Sequence, residues 1–356
     1  MKLLERARPE ILKLQPYSSA RMETRSRGVM LNANELPWAP VGSDTSVLNR
    51  YPDPQPTALR VSLAELYGVA PERVLVGRGS DEAIDLLVRA FCREGRDSVV
   101  ISPPTFGMYA VSARIQGADV IEVPLAADFS VDAQGLIAAV TENTKLVFLC
   151  TPNNPTGGLV PLTTVAHIAD ALRDRALLVV DEAYLEFADG APSATILLQR
   201  HENIAVLRTL SKAFALAGAR VGALIADAQI ISLLRRIQAP YPLPAPSVAA
   251  ALAALSTVAV AESGVRIDIL RSERERLAAA LSSAQGVLAV FPSAANFLCV
   301  RFADAARTYA RLIEYGVVVR DVSRYPQLDG CLRITIGTPQ ENAQLLSALG
   351  LREVAA

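Results

Sequence analysis

Ile204-Ala205-Val206-Leu207-Arg208-Thr209-Leu210-Ser211-Lys212-Ala213-Phe214-Ala215-Leu216-Ala217-Gly218-Ala219-Arg220-Val221-Gly222 is the stretch that decides the fold. A short apolar run, too short for a buried helix, passes the chain into a loop of small residues that carries Ser211, Lys212 and, eight residues later, Arg220. A strand that ends this way can gather a hydroxyl, an amine and a guanidinium around one phosphorylated ligand. A lysine beside a serine is ordinarily a solvated surface residue. Here the neighbours are Leu210, Ala213, Phe214 and Leu216, so the stem of Lys212 is expected to be buried. Desolvation would depress its ammonium pKa and leave more free amine for attack on a carbonyl, which is Schiff-base chemistry.

Working outward, five more apolar runs alternate with helical patterns: Val74-Leu75-Val76, Ser98 to Ile101, Val120 to Val123, Leu146 to Leu149 and Leu177 to Val180. Runs that are apolar on both faces and separated by helices predict an α/β domain with a mainly parallel sheet covered by helices. Ligands of such sheets gather at the C-terminal ends of the strands, so the residues that follow each run matter most.

After Val76 comes Gly77-Arg78-Gly79-Ser80-Asp81-Glu82, a turn into a helix whose amides and positive end suit a phosphate. The spacing is not that of a dinucleotide fingerprint, and the plain alternative is a structural turn. After Ile101 comes Ser102-Pro103-Pro104-Thr105-Phe106-Gly107-Met108-Tyr109, which can lay an aromatic ring over a flat ligand or simply fill core. After Leu149 comes Thr151-Pro152-Asn153-Asn154-Pro155-Thr156-Gly157-Gly158, two amides in a Pro-pinned turn. After Val180 comes Asp181-Glu182-Ala183-Tyr184, where a carboxylate closes a buried strand and needs a cation or donors.

Residues 1–30 read as a polar, Arg-containing arm, and residues 31–245 as the large domain. Four prolines between Pro240 and Pro246 mark a boundary. Residues 246–356 then form a smaller α+β domain, beginning with an Ala-rich helical bridge over 247–284. Its expected strands include Val287 to Phe291, Phe297 to Phe302, Val317 to Val319 and Leu332 to Ile336, before a helix opened by the capping box Thr338-Pro339-Gln340-Glu341. Arg320 and Arg333 fall at or in strands, either facing a cleft that holds an anion or exposed at an edge.

The 356 residues are 51% hydrophobic and carry 35 Lys and Arg against 36 Asp and Glu, so no basic surface for nucleic acid or anionic membrane is implied. Small-molecule partners are expected. Four scattered cysteines without a C-x-x-C pair read as reduced core thiols in a cytoplasmic protein, and no metal site is expected. With only His167 and His201, a histidine triad is excluded in practice, and proton transfer falls to Lys, Tyr or carboxylates.

Taken in order, Leu31 to Glu35, Arg50-Tyr51-Pro52, Gly77 to Glu82, Pro103 to Tyr109, Pro152 to Gly157, Asp181 to Tyr184, Arg208 to Phe214 with Arg220, and Cys331 to Thr335 resemble one family over nearly the whole chain. It is the fold-type I pyridoxal-phosphate (PLP) aminotransferases of class II, most closely those acting on histidinol phosphate. The resemblance implies that Lys212 carries PLP as a Schiff base and moves the substrate proton, and that Asp181 pairs with the pyridine nitrogen. It also implies that Asn154 and Tyr184 bind the ring oxygen and that Phe106, where the family often has Tyr, stacks on the ring. Ser80, Asp81, Ser211 and Arg220 would hold the phosphate, with Tyr51 reaching it from the second subunit of a homodimer. Arg333, assisted by Arg320 and Tyr17, would bind the carboxylate of 2-oxoglutarate or glutamate and the phosphate of L-histidinol phosphate, whose product is imidazole-acetol phosphate. Leu36 departs from the polar residue usual there. The open alternatives are an aromatic aminotransferase, a PLP-dependent decarboxylase of a phosphorylated amino acid and a PLP-sensing regulator.

Overall fold

Nothing in β5, Leu177–Asp181, alternates between apolar and polar: all five residues are buried, which requires cover on both faces. The computed structural model, which describes residues 2–17, 29–42 and 48–351, supplies that cover. A seven-stranded sheet is built from β1 (Val74–Gly77), β2 (Ser98–Ile101), β3 (Asp119–Glu122), β4 (Thr144–Cys150), β5, β6 (Ile204–Thr209) and β7 (Gly222–Ala226). The strand order is β1-β7-β6-β5-β4-β2-β3. Only β7 runs antiparallel, to β1 and β6; the remaining pairs are parallel.

Two apolar layers sandwich this sheet. One contains Ile84, Leu87 and Phe91 of the helix Gly79–Phe91 with Tyr109, Phe148 and Val179; the other contains Leu63, Val147, Ile168, Val180 and Val206. Consecutive residues of one strand, such as Val179 and Val180, thus enter opposite layers, as the two-residue period of a strand demands. Each fully buried Val or Leu contributes about 1.5–3 kcal/mol relative to exposure.

A second, antiparallel sheet has the order β10-β11-β9-β8, from β8 (Val287–Val290), β9 (Phe297–Phe302), β10 (Arg320–Asp321) and β11 (Cys331–Thr335). The Ala-rich stretch leading to it is two helices, Ala245–Ala254 and Thr257–Ser282, bent by 72° where Ser256 caps the second. No single helix among the described residues is long and apolar enough to cross a membrane. From the longer helix, Arg274 donates to the carbonyls of Phe187 and Ala295 at 3.1 and 2.9 Å, so one side chain grips a segment beside each sheet.

One expectation changes here. Val317 to Val319 form no strand: Gly316, at φ 73°, turns the chain out of the preceding helix, Val318 lies exposed, and pairing begins only at Arg320. The start of the expected arm is also structured, with Pro9–Lys13 helical and Arg8 N–H bonded to Ala90 O at 2.9 Å. The capping box is present as read, with Thr338 and Glu341 bonding each other's backbone amides.

Candidate active site

The strands β1, β4, β5 and β6 point their C-terminal ends at one cleft of about 570 Å³. It is lined by Ser80, Asp81, Phe106, Asn154, Asp181, Tyr184, Ser211, Lys212 and Arg220, together with Cys150, Ala183, Thr209 and Ala217. Nine side chains singled out in the sequence therefore meet in one place, although they span residues 80 to 220. Parallel topology is the cause: each crossover returns the chain to the same sheet edge.

At the floor, Asp181 is 2% exposed. Its Oδ2 accepts from the Tyr109 hydroxyl at 2.7 Å and its Oδ1 from the Ala183 amide at 3.1 Å. Burial raises its pKa to about 6, partly offset by the Tyr109 and Ala183 donors. Among the described residues no cation is in ion-pair contact with it. A buried carboxylate with two neutral donors still favours a positively charged partner, and a protonated ring nitrogen is one.

Across the cleft the Lys212 amine stands 5.7 Å from the centre of the Tyr184 ring. Leu210 and Phe214 are buried as expected, but Lys212 itself lies exposed at the mouth, because the loop leaves the sheet edge after Leu210 rather than entering the core. The expectation of a buried stem is corrected to that extent. Desolvation by the cleft wall, then the positive charges of Arg333 and Arg220, still lower the Lys212 pKa.

One end of the cleft is shaped for an anion. The helix Gly79–Phe91 opens beside Arg220, whose Nη2 lies 3.1 Å from Asp81 Oδ2. Arg220 adopts φ 56° and Gly79 φ 79°. A Cβ on Gly222 would meet the backbone of Gly79 at 2.6 Å and the Ser80 nitrogen at 2.9 Å, so only glycine lets β7 pass this close to the helix amides. Ser211, which also lines the cleft, donates its N–H to Thr209 Oγ1 at 3.1 Å and accepts the Thr209 hydroxyl at its Oγ at 3.0 Å.

Arg333 of β11 does not itself line the cleft but reaches it through Asn154: it donates to Asn154 Oδ1, and its guanidinium lies 5.4 Å from the Phe297 ring centre. Asn154 Nδ2 donates to the Tyr184 hydroxyl at 3.3 Å. A single chain of contacts thus links the second sheet to the cleft. Arg320 sits directly opposite Arg333 in the β10–β11 register, exposed and outside the cleft lining.

Two expected residues lie elsewhere in the chain. Tyr17 is exposed and lines a separate groove of about 910 Å³ with Pro54, Gln55, Arg235 and Arg236. Tyr51, half exposed, stacks on Tyr241 at 4.5 Å. Conversely, Tyr109, Cys150 and Thr209 meet or line the cleft without having been assigned a role; Tyr109 carried a usable signal, standing three residues after Phe106 at the start of a helix. Among the described residues no cluster of His, Cys, Asp or Glu could hold a metal ion, and all four cysteines are buried and free.

The family described as aminotransferase class I and II matches residues 22–349. The chain belongs to that family, and the cofactor of the family, PLP, fits the cleft: an anion cradle, an amine and a buried carboxylate lie along it. More particularly, it is 51% identical over 358 residues to the histidinol-phosphate aminotransferase of Xanthomonas campestris pv. campestris (strain 8004), covering 99% of each chain. It is 52% identical over 358 residues to that of Stenotrophomonas maltophilia (strain R551-3), covering 99% of this chain and 98% of the relative. The crystal structure of histidinol-phosphate aminotransferase from Sinorhizobium meliloti in complex with pyridoxal-5'-phosphate is 30% identical, with a TM-score of 0.77 over 85% of this chain and 82% of that one.

Proposed function

We propose that this transaminase converts L-histidinol phosphate and 2-oxoglutarate to imidazole-acetol phosphate and L-glutamate, a step of histidine biosynthesis. The observation that carries the reading is an amine and a buried carboxylate in one cleft that Arg220 lines and that Arg333 reaches through Asn154. The full-length likeness to relatives named for this substrate supports it.

When bound, PLP supplies an electron-withdrawing ring that stabilises negative charge on the substrate carbon bearing the amine. Lys212 would hold the cofactor through its amine and, when that amine is free, would accept and return the proton of the substrate carbon. Its lowered pKa keeps more of the amine free to do so. Asp181 keeps the ring nitrogen protonated. Asn154 and Tyr184 would donate to the ring oxygen, Phe106 would stack on the ring, and the Ser80 and Asp81 amides with Ser211 and Arg220 would hold the phosphate.

Arg333 binds the carboxylate of one substrate and the phosphate of the other, with Arg320 beside it in register. We also propose a homodimer. Val29, Leu31, Leu36, Trp38 and Val41 expose apolar surface next to Tyr51, which a second copy would cover while Tyr51 and Tyr17 extend toward the neighbouring cleft. Residues 31–245 act as the large domain and 246–356 as the small one, with 1–30 as the arm, and the cytoplasm as location.

Lys212→Ala tests the reading. It is expected to abolish turnover of histidinol phosphate and to retain PLP poorly, without the absorbance of a lysine-bound cofactor. Turnover that survives the change refutes the assignment.

A further inference from the structure

The Tyr109 hydroxyl is fully buried, 2.7 Å from Asp181 Oδ2, and no catalytic role has been assigned to it. The side chain is locked: its ring stacks on Phe148 at 4.7 Å and meets Phe106 edge-on at 5.6 Å. It stands in the helix Met108–Ile115, whose approach loop is fixed by Thr105 and Pro104 bonding to Asn153. The hydroxyl therefore cannot swing away, and the carboxylate it meets is held from the other side by the Ala183 amide.

We propose that Tyr109 is a positioning residue for transamination: its hydroxyl holds the Asp181 carboxylate in the ionised form and in one orientation, so that the shared proton stays on the cofactor's ring nitrogen. This deepens the cofactor reading above and rests on it. The logic is that of a proton between two bases. One proton is shared by a carboxylate and a pyridine nitrogen. A donor to the carboxylate stabilises its charged form and pushes the proton toward nitrogen. Without that donor the proton moves toward Asp181, and the ring becomes a weaker electron acceptor.

The other groups around Asp181 do not duplicate this effect. Asp81, from the helix Gly79–Phe91, and Glu182, next in sequence, raise its pKa through their charge. Cys150, at the end of β4, is a buried thiol whose own pKa burial pushes up, so it adds no charge near neutrality. Lys212 faces Asp181 from across the cleft, and its amine is consumed when the cofactor is attached. Tyr109 itself stays neutral, since burial and then the Asp181 charge raise its pKa well above the ordinary value.

Tyr109→Phe keeps the ring, its stacking and its volume while deleting only the donor. With PLP labelled with ¹⁵N in the ring, the nitrogen resonance of the variant is expected to move toward the neutral-pyridine value, and kcat to fall roughly tenfold at unchanged KM. In the cofactor-free protein the raised pKa of Asp181, about 6, makes stability fall as pH rises from the ordinary carboxylate range to that value and level off above it, whereas in the variant, without the opposing donor, the fall continues past it. The urea-midpoint deficit of the variant should therefore widen as pH is raised through that value. A ¹⁵N shift equal to wild type, with a stability deficit that does not change with pH, overturns the proposal and leaves Tyr109 as packing. A wild-type protein that neither binds PLP nor transaminates overturns the cofactor reading itself, and the proposal with it.

Discussion

Arg208→Met should destabilise the protein by about 3–5 kcal/mol near neutral pH, far more than loss of packing alone, because it strands buried charge. Arg208 is the last residue but one of β6, and its side chain is 8% exposed. Its Nη1 meets Glu182 Oε2 at 2.8 Å and its Nη2 meets Glu186 Oε1 at 2.7 Å. The Tyr67 ring lies 4.8 Å below the guanidinium. Glu182, at 2% side-chain exposure, keeps the Ser193 hydroxyl and the Ala194 amide, both at 2.6 Å, but these are neutral donors. The cluster sits beside the cleft: Glu182 follows Asp181, and Arg208 lies four residues before Lys212.

The pH dependence sets this mechanism apart from a packing defect. Burial already raises the Glu182 pKa above the ordinary glutamate value, with Arg208 opposing. Removing Arg208 raises it further. A carboxyl whose folded pKa exceeds its unfolded pKa costs stability above the folded value and relieves that cost on protonation, so the deficit of the variant must shrink as pH falls from about 8 to about 5. Urea unfolding of the cofactor-free protein, followed by circular dichroism, reads this directly. Adding Glu182→Gln, whose amide oxygen can accept from the Ala194 N–H while its NH2 donates to Ser193 Oγ, removes the charge and should recover at least about 1 kcal/mol. A loss below about 1 kcal/mol that is equal at both pH values would refute the reasoning.

Two further changes probe separate parts of the fold. Gly222→Ala places a methyl group against Gly79 and Ser80 backbone at 2.6–2.9 Å, where nothing flexible can yield; a cost of about 1–3 kcal/mol and a larger PLP dissociation constant are expected from urea midpoints and fluorescence titration. Thr338→Ala removes one half of a capping box remote from the cleft, so it should lower stability by about 1 kcal/mol while kcat/KM for transamination is unchanged.

While β3, a partly exposed edge strand, showed only as Val120-Ile121, the strands β1, β2, β4, β5 and β6 were legible because burial on both faces leaves a short, continuous apolar run. That is why Ser80, Asn154, Asp181 and Lys212 could be brought together from the sequence. Strand β7 was less visible as the antiparallel member, since Gly222-Ala223-Leu224-Ile225-Ala226 carries no mark of direction. Lys212 was read as buried from neighbours that are buried; a loop does not share the periodicity that makes such an inference sound for a helix.

Tyr109 escaped notice for a different reason. Its partner, Asp181, lies 72 residues away, and only the packing of the helix Met108–Ile115 over β4 brings hydroxyl and carboxylate together. Val317 to Val319 had strand composition without a strand partner, because the β10–β11 pairing begins at Arg320. Tyr17 and Tyr51 line other surfaces, away from the Lys212 cleft of this chain.

The central claim is that the pocket around Lys212 and Arg333 accepts a phosphorylated amino alcohol with 2-oxoglutarate as partner. Its most direct test is kcat/KM with 2-oxoglutarate for L-histidinol phosphate, L-phenylalanine and L-tyrosine, measured side by side. Histidinol phosphate is predicted to be the best amine donor, whereas a preference above about a hundredfold for either aromatic amino acid would contradict the account.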